Sequence, residues 1–281
     1  MKPYVKVISL FCFAIFFSFN ALAQKELAEA EISQIMKDRD VVGLAVAVVK
    51  KGEIIYTKSF GVKDIQTNTP LVDTDIFRIA SISKSFSATS IMQLVEAGKL
   101  SLKDDFSDLV GFKIRNPKFP ESVITLKMVL SHTSSINDSE GYFNLDVINP
   151  AKNVNWAKCY NDYEPGKGYQ YCNLNFNMVG AVIEKFANER FDNYVKNHIL
   201  NPLGLYGGYC VDSLDKNKFT TLYEYNPKVP NLFTASPAAY NPRSEEIKNY
   251  TLGYSTPIFS PTGGMKISAT DLAKYMTMHM Y

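Results

Sequence analysis

Histidine is scarce in this chain and scattered. His132, His198 and His279 are its only imidazoles, and no cysteine stands at a metal-ligand spacing from any of them, so a zinc centre has no support. Cysteine is nearly as rare: there are four in 281 residues, none in a C-x-x-C pair of redox type. An excess of charge of one sign is missing too, since 30 basic residues against 28 acidic ones leave a formal net charge of +2, with both kinds mixed along the chain. Without a basic block to follow a phosphate backbone, nucleic acid has no support as a partner. Nothing calls for a metal or an organic cofactor. Internal repeats and low-complexity linkers are also absent.

What is present begins at the N-terminus. Lys2 and Lys6 precede an apolar run from Val7 to about Phe19, and Ala21-Leu22-Ala23 stands before Gln24. These are the charged, apolar and small-residue parts of a secretory signal, and the run is well short of the roughly 20 residues a membrane span needs. We expect residues 1–23 to be a cleaved signal peptide, the protein to be exported, and no stable span to remain. Cleavage leaves Cys159, Cys172 and Cys210, an odd number for an oxidising compartment; their pairing stays open. With 46% hydrophobic residues, the rest can bury a sizeable core, and 24–281 is expected to form a single domain.

The chain is organised around Phe77-Arg-Ile-Ala-Ser81-Ile-Ser-Lys84-Ser-Phe86 and the apolar segment that follows to Ala97, where Gly98 is a helix stop. Larger side chains point all around a helix from Phe86 to Val95, which predicts burial on every side. Ser81 and Lys84 are three apart at its beginning, so on a helix the amine can reach the hydroxyl. A serine hydroxyl needs a neighbouring base to become a nucleophile, and a lysine serves as that base where desolvation or another cation lowers its pKa from about 10.4. Spacing alone proves little, because Ser213-Leu-Asp-Lys216 repeats it in a polar loop. The setting of Ser81 selects it.

Elsewhere, helical spacing marks Glu26 to about Asp40. Gly43–Val49 and Ile54–Phe60 flank Lys50-Lys51-Gly52-Glu53 as a β-hairpin, whose continuously apolar first strand is expected to be covered on both faces. A short helix opens at Thr125. From Asn137 to Tyr163 no period is visible, so irregular surface structure is expected. After the Pro165-Gly166 turn, an amphipathic helix starts near Leu174 and a second follows to about Leu200. Asp212–Tyr254 is loop-rich, and Thr270 caps a last helix. A proton relay and a substrate-binding amide are offered by Tyr171-Cys172-Asn173, with the Tyr and Asn on one side of an extended piece. Tyr142-Phe143-Asn144 competes, but the Pro165-Gly166 turn and the helix would hold Tyr171 more rigidly.

Five motifs occur in order: Phe77-Arg-Ile-Ala-Ser81-x-x-Lys84, Leu130-Ser-His132-Thr-Ser134, Pro165-Gly-x-x-Tyr-x-Tyr171-x-Asn173, Pro202-Leu-Gly-Leu205, and Pro261-x-Gly-Gly264-x-x-x-Ser-x-x-Asp271-Leu-Ala-Lys274. Together they resemble the serine β-lactamase family, and most of all its class C branch with the related D-alanyl-D-alanine carboxypeptidases, D-aminopeptidases and esterases. The resemblance implies an α+β fold, β-lactamase/transpeptidase-like, in which an antiparallel sheet flanked by helices adjoins a mostly helical lobe. It implies Ser81 as nucleophile, Lys84 as the activating amine, Tyr171 as proton relay and Asn173 as a contact to substrate and Lys84. His132 matches a structural position, and Ser135 stands where the motif usually has glycine.

The expected activity is that of a serine hydrolase working through an acyl-enzyme, without a cofactor, on a small-molecule or peptidoglycan-type substrate: a β-lactam, a D-amino-acid peptide or a carboxylic ester. A non-catalytic envelope protein, either an inactive remnant of a β-lactamase-like protein or a binding module that keeps the fold, is the alternative. The family's third motif, a Lys or His, a variable residue and Gly, lies on a later strand and has no match up to Tyr281. We therefore expect the C-terminal sheet strands to be missing, one hairpin edge to lack a ladder partner, Ser81 to face an open gap, and turnover to suffer for want of an oxyanion donor worth about 2.7–4 kcal/mol.

Overall fold

The structure, a computed structural model, describes residues 24–228 and 232–280. The expected signal peptide lies outside the described residues. No helix among them is long and apolar enough to cross a membrane. The chain divides into two compact units: residues up to Ala45 together with Lys58–Val72, and Val46–Thr57 together with everything from Asp73 onward.

In the first unit, helix α1 (24–38) confirms the helical spacing seen from Glu26, and Asp40 turns the chain at a φ of 51°. Among the described residues of this unit, Met36 and Leu71 are the buried apolar side chains. Strands β1 (Gly43–Lys50) and β2 (Glu53–Asp64) form the predicted hairpin, of which Val46–Thr57 is assigned to the second unit. Lys51 and Gly52 both have positive φ at its turn, the conformation that matches the strand twist of a two-residue hairpin loop.

One expectation for this sheet needs correction, and one of its strands was not foreseen. Thr69–Pro70 forms a short strand, β3, which pairs antiparallel with β2 through Val62 and Asp64, so the order is β1-β2-β3. A two-residue strand carries too little pattern to be seen in the sequence. Among the described residues β1 keeps one edge without a ladder partner. It is not covered on both faces, however: its side chains are half-buried and Val48 is 42% exposed, because an edge strand retains solvent contact that a central one loses.

The second unit holds a core of helices. Its elements are β4 (Phe77–Arg78), α2 (Ser83–Glu96), α3 (Phe106–Val110), α4 (Leu126–Leu130), α5 (Asn173–Ala187), α6 (Phe191–Val195), β5 (Gly207–Gly208), β6 (Tyr223–Tyr225), β7 (Phe233–Ala235), α7 (Ser244–Ile247), β8 (Lys266–Ile267) and α8 (Ala269–Met278). Strands β4, β8 and β5 make one small antiparallel sheet and β6–β7 another; the second sits within the loop-rich stretch. Caps lie where the sequence put them in part: Thr125 accepts from the Met128 amide, whereas Ser268, two residues before Thr270, caps α8 by accepting from the Asp271 amide.

Helix α5 is the centre of this unit. Every residue from Leu174 to Glu184 is buried, enclosed by α2, α3, α4, α6 and a 3₁₀ turn at Thr256–Phe259. It is therefore not amphipathic in its environment, and its polar positions survive burial because each has partners. Asn177 donates to the Tyr142 carbonyl, and the Glu184 carboxylate accepts from the Phe191 and Gly253 amides and the Thr256 and Tyr250 hydroxyls.

Helix α2 departs from expectation in the opposite sense. Its buried side is Ser83, Lys84, Phe86, Ser87, Ser90, Ile91 and Leu94, while Met92 is 47% exposed. The serines, not the bulky residues alone, mark the inner face: small side chains allow close approach, and their hydroxyls bond locally or to the turn after Phe259. The stretch from Asn137 to Tyr163 is irregular but not only surface, since Leu145, Ile148, Cys159 and Tyr160 enter the core. Cys159, Cys172 and Cys210 are all free and buried.

Candidate active site

The site assembles where a 3₁₀ turn, Ala80–Ile82, runs into α2. Ala80 has a φ of 47°, a left-handed conformation that costs a non-glycine residue about 1–3 kcal/mol and persists only where the surroundings impose it. Here the imposition comes from both sides: the Ile79 amide donates to the Met265 carbonyl at 3.0 Å and the Ile82 amide to the Ile79 carbonyl at 3.3 Å. Ser81 is thereby presented at the surface, outside the helix proper. Lys84, one helical turn on, is buried.

Lys84 Nζ is the hub. It donates to Ser81 Oγ at 3.2 Å, the Tyr171 hydroxyl at 2.6 Å, Asn173 Oδ1 at 2.9 Å and the Thr262 carbonyl at 2.9 Å. Four oxygen partners around a group with at most three N–H bonds mean that one contact is shared or reversed, with a hydroxyl donating to nitrogen. The Tyr171 hydroxyl also donates to Ser81 Oγ at 2.6 Å, closing a triangle of proton-exchanging groups. All four residues singled out in the sequence converge. Tyr142 does not join them; its ring lies tilted against that of Phe143 and packs on the core. Ser213 and Lys216 are exposed, with Ser213 Oγ turned to the Cys210 carbonyl.

Tyr171 is held by its neighbours in sequence and space. Cys172, extended at a φ of −145°, begins α5 and sets Tyr171 and Asn173 toward the same amine. The Cys172 amide donates to His132 Nδ1 at 3.1 Å, the Gln170 amide donates to the His132 carbonyl at 3.0 Å, and the His132 ring lies 4.6 Å from that of Tyr171. His132 is thus a clamp on this segment and not a proton donor to Ser81. Burial, reinforced by the Lys84 charge, holds its pKa below the usual histidine range, which favours the neutral ring that accepting from Cys172 requires. Ser135 adopts the glycine-like φ of 62° without glycine, and its Oγ accepts from Asn116 Nδ2 at 3.0 Å.

Two residues of this arrangement went unread in the sequence. Asp138 accepts from the Asn173 and Leu174 amides and from Asn173 Nδ2, so it caps α5 and turns the Asn173 oxygen toward Lys84. It lies in the stretch without period, and no local signal marks it. Thr262 sits inside the Pro261–Gly264 motif and gives its carbonyl to Lys84 and its hydroxyl to Asn173 Oδ1 at 2.9 Å. Glycine places this turn: a Cβ on Gly180 would come 2.3 Å from the Pro261 ring, and one on Gly264 would come 2.0 Å from the Phe259 carbonyl oxygen.

A Ser-x-x-Lys turn closed by a Tyr-x-Asn helix start on this α+β scaffold defines a β-lactamase/transpeptidase-like protein. The chain belongs to the Beta-lactamase family, whose model matches residues 28–280. Among curated proteins it is similar to Protein flp of Staphylococcus aureus (strain MRSA252), 26% identical over 223 residues, covering 73% of this chain and 43% of that one. Penicillin-binding protein 4* of Bacillus subtilis (strain 168) is 28% identical over 171 residues, covering 57% and 36%. Among solved structures, the octameric penicillin-binding protein homologue from Pyrococcus abyssi superposes with a TM-score of 0.70 at 27% identity, over 90% of this chain and 55% of that one. The chain spans less than half the length of these curated relatives.

Proposed function

We propose that this protein is an exported serine hydrolase that works through an acyl-enzyme on Ser81. The observation that carries the reading is the triangle of Ser81 Oγ, Lys84 Nζ and the Tyr171 hydroxyl, with contacts of 2.6–3.2 Å, the range in which proton transfer operates. Ser81 Oγ attacks the substrate carbonyl while its proton passes into the Lys84–Tyr171 pair. Collapse of the tetrahedral intermediate breaks the bond to the leaving amine or alcohol, which takes a proton from Tyr171. The ester left on Ser81 is hydrolysed by water deprotonated through the same pair. Asn173 and Thr262 keep Lys84 in place during these steps.

A β-lactam, a D-amino-acid peptide and a carboxylic ester all present the required carbonyl, and the penicillin-binding names among the relatives favour the first two. Export rests on Lys2, Lys6, the apolar run and Ala21-Leu22-Ala23; a mature N-terminus at Gln24 in mass spectra of envelope material is the expected result. The activity is tested by a fluorophosphonate probe and a panel of chromogenic β-lactam, D-alanyl-D-alanine peptide and aryl ester. A probe adduct on Ser81, lost in Ser81→Ala, supports the reading. No adduct on folded protein and no turnover of any substrate would favour a non-catalytic envelope protein.

A further inference from the structure

A cavity of about 280 Å³ lies beside the small sheet of β4, β8 and β5, and its charged lining is of one sign: Arg78, Arg243 and Lys266, with the hydroxyls of Ser236 and Ser260 between them. Among the described residues, no acidic one lines it. Arg78 and Lys266 are directly opposed in the β4–β8 ladder, a cross-strand pairing of like charges that destabilises a sheet. Lys266 is moreover 95% buried, being 5% exposed, and among the described residues its Nζ has a single partner, the Tyr209 carbonyl at 3.1 Å. Arg243 pairs with Glu246 at the outer end; Arg78 forms no ion pair among the described residues. A buried ammonium facing two guanidinium groups is costly in isolation, and a local rule broken in this way points to a functional site.

We propose that this cavity binds an anionic group, a carboxylate or phosphate carried by a small ligand. Two guanidinium forks and an ammonium are the donors that recognise planar or tetrahedral oxyanions, and the volume suits a small molecule. The site shares a wall with the Ser81 centre. The Ser260–Gly264 turn gives the Thr262 carbonyl to Lys84 on one side, and on the other a Cβ on Gly263 would stand 3.3 Å from Arg78 Nη2. An acyl substrate bearing an anionic end and a separate anion are the two sources of such a ligand. Burial and the two arginines hold Lys266 down to a pKa of about 8, so an arriving anion restores its proton.

Calorimetric titration of Ser81→Ala protein with glutarate and with inorganic phosphate, at pH 8 in buffers of different ionisation heat, tests the site apart from any activity of Ser81. The expected result is one saturable site with uptake of up to about half a proton per anion, weakened at least tenfold in both Lys266→Met and Arg243→Met. Absence of saturable binding, or unchanged affinity in the variants, overturns the proposal. Should Lys266→Met fail to fold, Arg243→Met, altered at the partly exposed end, decides alone. The source is read in Ser81 protein from the rate ratio of a monoaryl glutarate to an aryl butyrate. A ratio above ten that falls toward one in Arg243→Met identifies the substrate's own carboxylate; a ratio near one with phosphate binding intact identifies a free anion.

Discussion

Asp138 Oδ2 accepts from both the backbone amide and the side-chain Nδ2 of Asn173, at 2.8 and 2.9 Å. A residue remote from Ser81 thereby decides which way the Asn173 amide faces, and so whether Lys84 meets an oxygen or an NH₂. Asp138→Ala removes the helix cap and frees the amide to flip. Loss of the cap lowers stability by about 0.5–2 kcal/mol, and the labelling rate of Ser81 should fall further than that loss of folded protein explains. Urea unfolding and probe kinetics on the same preparation check this; equal labelling per folded molecule would reduce Asp138 to a cap.

Tyr171→Phe removes the hydroxyl that touches both Ser81 and Lys84 but leaves the ring against His132. Stability should change by less than about 1 kcal/mol, in the range of a single hydrogen bond, while acylation of Ser81 falls by about 10²–10⁴-fold, the usual worth of a positioned proton relay. Tyr142→Phe should change neither. Stopped-flow acylation with an aryl ester, beside thermal melts, reads both.

The depressed pKa of His132 fixes a direction with pH. Below the unfolded histidine value of about 6.5 the unfolded chain binds a proton that the folded chain resists, so folding stability is complete above that pH and declines as pH falls toward the folded pKa. Protonation also removes the acceptor for the Cys172 amide and loosens the Tyr171 segment. Urea titrations from pH 4 to 8 should show this decline, and His132→Gln should flatten it; a decline identical in the variant would assign it to other groups.

Burial raises the pKa of all three described thiols, Cys159 to about 11. A disulfide reagent at pH 8 should therefore modify the folded protein slowly and, on unfolding of the chain from Gln24, titrate all three thiols. A count of one would mean that two of them are joined.

Much of the site was legible because its residues lie in short local patterns. Ser81 and Lys84 share one helical turn, Tyr171 and Asn173 share one extended step into a helix, and neither geometry needs knowledge of the rest of the chain. The sequence alone also determined the hairpin at Lys51-Gly52, the α5 segment and the rejection of Ser213–Lys216, through turn chemistry, periodicity and polarity. The sequence favoured Tyr171 over Tyr142, but only the tertiary structure brings its hydroxyl onto Ser81, because a contact across 90 residues depends on how α2 packs on α5. The same packing recruits Asp138 from a stretch without period, brings the Thr262 carbonyl onto Lys84, and turns the serines of α2 inward, reversing the expectation of a helix buried all round. It also sets Arg78 against Lys266. Hydrophobic pattern tells which face of an element is apolar, but convergence of polar groups from separate elements is set by the packing of those elements, which no local pattern encodes.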